Sequence, residues 1–120
     1  MPGVEKRDFD SPDESRTPAK TRVDVVRLGG TIAARFSMEP GWRWSECVKP
    51  VAGTDSCRHR HVGVVQSGTM RVTHDDGTVI DLAPGDAYVI EPGHDAEVVG
   101  DDRFVGFEFE PDAAAAYART

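Results

Sequence analysis

Pro84-Gly85-Asp86-Ala87-Tyr88-Val89-Ile90-Glu91-Pro92-Gly93 reads as turn, strand, turn. Each end pairs a proline, which presets φ, with a glycine that accepts positive φ, and between them lies a short β-prone run. The same grammar extends outward. Ser67-Gly68, Asp75-Asp76-Gly77 and Gly100-Asp101-Asp102 separate the runs Val62–Gln66, Thr69–His74, Thr78–Leu82, Ala96–Val99 and Phe104–Phe109. Asp76-Gly77 between two such runs is a hairpin signal, because both turn positions tolerate left-handed backbone. Upstream, Ile32, Ala34, Phe36 and Met38 alternate with Ala33, Arg35 and Ser37, the period-two pattern of a half-buried strand. Helical periodicity is absent until Asp112–Tyr117, where Pro111 and Asp112 open a short terminal helix. Many short strands at regular spacing predict an all-β sandwich or barrel.

The chain has 120 residues, enough for one domain, and 38% of them are hydrophobic. With 14 Lys+Arg against 21 Asp+Glu the formal net charge is -7. Between His74 and Asp112 there are twelve acids and a single base, Arg103. That balance argues against nucleic acid and anionic membranes as partners. No apolar run approaches the ~20 residues needed to cross a bilayer. Met1–Glu14 lacks the apolar centre of a secretory signal, so a cytoplasmic protein with reduced thiols at Cys47 and Cys57 is expected. Residues 1–22 are charged and poor in apolar side chains, and read as a disordered tail; 23–112 form the barrel and 113–120 a short helix or tail.

Pro84–Gly93 resembles the second motif of the cupin superfamily, P-G-D-x-x-x-I-P-P-G, and Gly68–Gly77 resembles the glycine and hairpin that close its first motif. The resemblance implies a double-stranded β-helix, or jelly-roll barrel, that binds a small molecule and pairs as a homodimer. It also implies a metal held by two His and a Glu from the first motif, G-x5-H-x-H-x3,4-E-x6-G, and by one His following the second. Here the chain departs from the pattern. Anchored at Gly53, the histidines fall on His59 and His61, Gln66 replaces the acid, and the closing glycine is missing. Anchored at Gly68, the acid position falls on His61 and the histidines near Asp55 and Cys57. The second register is preferred, because the hairpin after Gly68 needs that turn.

In either register Cys57, His59 and His61 lie two apart and share a face if the strand is extended. Thiolate and imidazole suit zinc first, and imidazole also suits iron or nickel. His94, directly after Pro92-Gly93, reaches towards the same cavity. The metal candidates are therefore His61, His94, Cys57 and His59. Trp42 and Trp44 would share a strand face, as pocket wall or dimer contact, with Glu46 on the same parity as a spare carboxylate. Met70 and Tyr88 complete the expected pocket, and His74 is expected to be exposed. No Ser–His–Asp order or phosphate-binding glycine loop stands out. The function expected is small-molecule binding in the barrel around a divalent metal; the alternative is a metal-free ligand-sensing module without catalysis.

Overall fold

Alternation along each strand decides what the sheets enclose. In Thr31–Met38 the side chains of Ala34, Phe36 and Met38 turn inward, and in His94–Val99 those of His94, Ala96 and Val98 do so. A computed structural model describes residues 3–109. In it the strands are β1 (Glu14–Arg16), β2 (Thr21–Leu28), β3 (Thr31–Met38), β4 (His61–Ser67), β5 (Thr69–His74), β6 (Val79–Leu82), β7 (Ala87–Ile90), β8 (His94–Val99) and β9 (Phe104–Glu108). They form a six-stranded sheet, β1-β2-β3-β9-β4-β7, and a three-stranded sheet, β6-β5-β8, with antiparallel pairing throughout. The inner rows enclose one core, built from Phe36, Met38 and Phe104 on one sheet and Met70, Val72 and Val98 on the other. This is an all-β jelly-roll architecture, as the turn spacing predicts.

The turn at Gly68 carries the chain from one sheet to the other. Its φ is 74°, and a Cβ there would sit 2.4 Å from the Arg103 carbonyl oxygen, so only glycine fits. The β5–β6 hairpin closes at Asp76-Gly77, where His74 N–H donates to the Thr78 carbonyl at 2.8 Å. Two single-turn helices, α1 (Trp44–Cys47) and α2 (Lys49–Ala52), lie where no helical periodicity is readable. One turn is too short to display a period. The local signals are Pro50 in the first turn of α2 and Gly53 at its end, with φ 74°. The helix expected near residues 112–117, and the end of the barrel at 112, lie outside the described residues.

Residues 1–22 behave differently from a disordered tail over their described part. β1 pairs with β2, and the Phe9 ring packs 5.3 Å from that of Phe107. Polar contacts do much of the anchoring: Asp13 accepts from Arg7 and from the Arg27 backbone, and Glu5 accepts from the Gly29 backbone. The central group is Asp24, wholly buried on the outer face of β2. It accepts from Ser15 Oγ at 2.7 Å, Arg22 Nε at 2.8 Å and Arg35 Nη2 at 2.9 Å. Composition hides such a network, because it counts charges without pairing them. Asp24→Asn keeps the shape but removes a charge from three donors, so urea unfolding is expected to show a loss of about 2–3 kcal/mol. Faster proteolysis before residue 20 should accompany it. An unchanged unfolding midpoint would contradict this role.

Candidate metal centre

Strand register gathers polar side chains at one end of the barrel. Gly63 of β4 pairs with Tyr88 on one side and Glu108 on the other, and His61 lies two residues back, opposite Ile90. Tyr88, Glu108 and His61 all turn inward and are buried. Across the core, His94 opens β8. Cys57 is tied to it by backbone hydrogen bonds, Cys57 N–H to the His94 carbonyl and Gly93 N–H to the Cys57 carbonyl, both 2.7 Å. Cys57 thus belongs with the three-stranded sheet while His61 opens a strand of the other. The short link between them, residues 58–60, is exposed.

The donor atoms of Cys57, His61 and His94 all lie within 4.8 Å of one another. Cys57 Sγ stands 3.7 Å from His61 Nε2, and the two imidazole rings meet edge to face at 5.2 Å. His61 Nδ1 donates to Glu108 Oε1 at 2.7 Å, which turns Nε2 towards Cys57. His94 Nδ1 donates to the Glu91 carbonyl at 2.9 Å. That acceptor has no proton to give, so Nδ1 carries its hydrogen there and Nε2 is the nitrogen left to meet Cys57 or, in the neutral ring, a metal. Glu108 is held in turn by the Tyr88 hydroxyl, which donates to Oε2 at 2.8 Å. Gly63 makes room for this: a Cβ there would lie 2.9 Å from the Tyr88 hydroxyl and 2.3 Å from the Phe107 carbonyl oxygen.

Burial alone would push the Cys57 thiol up, but hydrogen bonds from His61 and His94 and their positive charge outweigh it, bringing it down to about 5. Burial likewise pushes His61 down, yet the Glu108 charge and the hydrogen bonds to Cys57 and Glu108 hold it up at about 10. The metal-free pair is a thiolate beside an imidazolium.

A tetrahedral ion with bonds of ~2.0–2.3 Å spaces its donors roughly 3.3–3.8 Å apart. The Cys57–His61 pair already stands at 3.7 Å, and a triangle whose atoms lie within 4.8 Å closes by up to about 1–1.5 Å on its widest edge to hold one. One thiolate and two imidazoles, each ring oriented through its other nitrogen, is a donor set that fits zinc. Beside it lies a cavity of about 20 Å³ walled by Phe36, Met38, Trp42, Trp44, Met70 and Tyr88, among others. That volume admits one water-sized ligand.

Of the residues singled out from sequence, the structure brings Cys57, His61 and His94 together and sets Trp42, Trp44, Met70 and Tyr88 around the cavity. His59 and Asp55 are exposed and outside the group. Residues 58–60 have no ladder partner, so strict alternation does not hold between Cys57 and His61 and the shared face of three is lost. Trp42 and Trp44 are each 2% exposed, which makes them cavity wall rather than an outer dimer face. Glu46 sits exposed on α1, not on a strand. His74 is half-buried, its Nε2 3.0 Å from the Pro92 carbonyl oxygen, rather than exposed. Glu108 was missed. Its signal was available, since in Phe104-Val105-Gly106-Phe107-Glu108 it shares the parity of Phe104.

No protein-family model matches the chain, and no curated protein is significantly similar to it. Solved structures are similar in fold. One is a sugar phosphate isomerase from a cupin superfamily, from Silicibacter pomeroyi (TM-score 0.62, 19% identity, 88% of this chain and 74% of that one). KdgF from Halomonas sp. aligns with TM-score 0.58 and 22% identity over 85% and 90% of the two chains. A protein of unknown function from Rhizobium leguminosarum bv. viciae aligns with TM-score 0.62 and 16% identity over 90% and 97%. The fold is that of the cupin barrel.

The pair has a pH signature in the metal-free protein. Cys57, held below its ordinary 9.0, contributes stability that is full above 9.0 and lost as pH falls through about 5. His61, held above its ordinary 6.5, contributes stability that is full below 6.5 and lost as pH rises through about 10. Between 6.5 and 9.0 the two trends offset. Chemical unfolding across pH is therefore expected to show a plateau there, with Cys57→Ala losing its share of the decline from 6.5 towards 5. An acid limb unchanged in the variant would contradict the pairing.

Proposed function

We propose that the protein binds one divalent metal ion through Cys57 Sγ, His61 Nε2 and His94 Nε2 within a cupin-type barrel. The observation that carries this reading is the buried convergence of those three donors, with both imidazoles oriented by acceptors at Nδ1. The mixed thiolate and imidazole set favours zinc, with iron or nickel behind it. Three protein ligands leave one coordination place, where a bound ion supplies Lewis acidity to an oxygen ligand. The chain itself orients the ligands through Glu108 and the Glu91 carbonyl, and keeps bulk water out with Trp42, Trp44 and Phe36.

The small-molecule part of the proposal is bounded by volume. A cavity of about 20 Å³ takes a water-sized ligand, and a metabolite enters only if wall side chains swing aside. A sugar phosphate, the substrate class named for the Silicibacter protein, does not fit this closed form. A second reading, a metal-free ligand-sensing module, draws on the Cys57–His61 contact, which satisfies both groups without an ion. A homodimer belongs to the same proposal: Val79, Ile80 and Val89 on the edge strands β6 and β7 are each more than half exposed. So does a cytoplasmic setting, which suits two free cysteines. No helix among the described residues is long and apolar enough to cross a membrane.

Metal analysis of protein prepared without an affinity tag tests the reading. About one equivalent of metal is expected in the wild type, with near-complete loss in His61→Ala. Glu108→Gln, which weakens the orientation of His61, is expected to lower zinc affinity by about 10–100-fold while the barrel stays folded. Equally low metal in wild type and His61→Ala would defeat the metal reading in favour of the metal-free module.

A further inference from the structure

Trp42 is 2% exposed and lines the same cavity, and its indole Nε1 is the buried side-chain nitrogen or oxygen without a hydrogen-bond partner among the described residues. A buried donor with nothing to donate to is costly, and native structures rarely leave one unexplained. The neighbouring polar groups are already committed to one another. Tyr88 donates to Glu108, which also accepts from His61, and His94 Nδ1 donates to the Glu91 carbonyl. The remaining wall near Trp42 is apolar, including Phe36, Met38 and Phe104.

We infer that Trp42 is a ligand-binding residue whose indole N–H holds a single oxygen acceptor in the cavity, the atom that takes the coordination place left by Cys57, His61 and His94. The inference rests on the metal reading above. It adds the identity of the incoming atom and the residue that selects it. Indole N–H only donates, so the partner must be an acceptor; an ammonium or an apolar ligand leaves the orphan unsatisfied. The space is about that of one water, so the acceptor is a water or hydroxide oxygen. Trp42 thereby selects for oxygen ligands by hydrogen bonding, and the cavity selects by size.

The chain has two tryptophans, so indole N–H signals in a nitrogen-15 NMR spectrum are assigned by Trp44→Phe alone. Zinc is added to the metal-free full-length protein in carboxylate-free buffer, and formate is added afterwards. The expected result is that zinc moves the Trp42 indole proton downfield and slows its exchange by about tenfold, the factor that corresponds to about 1.4 kcal/mol of added hydrogen bonding. A response to zinc alone identifies the acceptor as water or hydroxide. A response only after formate keeps the acceptor but overturns its assignment to water. Trp42→Phe retains one zinc per chain but binds it about tenfold more weakly, as expected when a partner of the bound oxygen is lost. Zinc uptake with an unmoved Trp42 signal overturns this inference and leaves the metal reading standing. Absence of zinc uptake by the wild type overturns both.

Discussion

A carboxylate inside a barrel is tolerated only if its oxygens are engaged, and Glu108 meets that condition with His61 on one oxygen and the Tyr88 hydroxyl on the other. Much of the local structure answers to this requirement. His61 is fixed through Nδ1 and presents Nε2 to Cys57, and the resulting positive charge keeps the Cys57 thiol ionised in a dry setting. Gly63 is without a side chain where a Cβ would collide with the Tyr88 hydroxyl. Removing the carboxylate would leave an imidazole, a phenol and a thiol without their organising charge. The remaining inward positions of the two sheets are filled almost wholly by apolar side chains, which dock the two sheets and hold the polar group between them.

The fold was legible because its signals are local. Thr69–His74 and Ala87–Ile90 are strands at the residues where period and turn chemistry placed them, and Asp76-Gly77 is the hairpin it promised. The site was legible in part. Cys57, His61 and His94 stood out as thiol and imidazole groups at short spacing beside turn motifs. His59 failed for a physical reason: alternation is enforced by ladder hydrogen bonds, and residues 58–60 have none. The inward parity of Glu108 was readable, but its pairing with His61 was not, because the two are 47 residues apart and only the β4–β9 register makes them neighbours. The same holds for two of the three donors to Asp24, Ser15 and Arg35, which reach it from the neighbouring strands β1 and β3. Long-range polar pairing has no period, so a sequence shows the charges without their matches.

The cavity joins architecture to function. The two tryptophans expected on a strand face sit instead at the entry to α1 and wall the cavity together with His61 and His94. Together with the other wall residues they bound a cavity of about 20 Å³, a volume for a water-sized ligand rather than an open ligand barrel. The fold alone does not carry an activity, because barrels of this kind host unrelated chemistries. The donor set and the volume are the specific features of this chain.

Zinc-edge X-ray absorption on the zinc-loaded, untagged protein tests the central claim most directly. The account predicts one sulfur at about 2.3 Å with two imidazole nitrogens and one further light atom at about 2.0–2.1 Å, and loss of the sulfur shell in Cys57→Ala. A zinc shell of nitrogen and oxygen alone in the wild type, unchanged by that substitution, would contradict it.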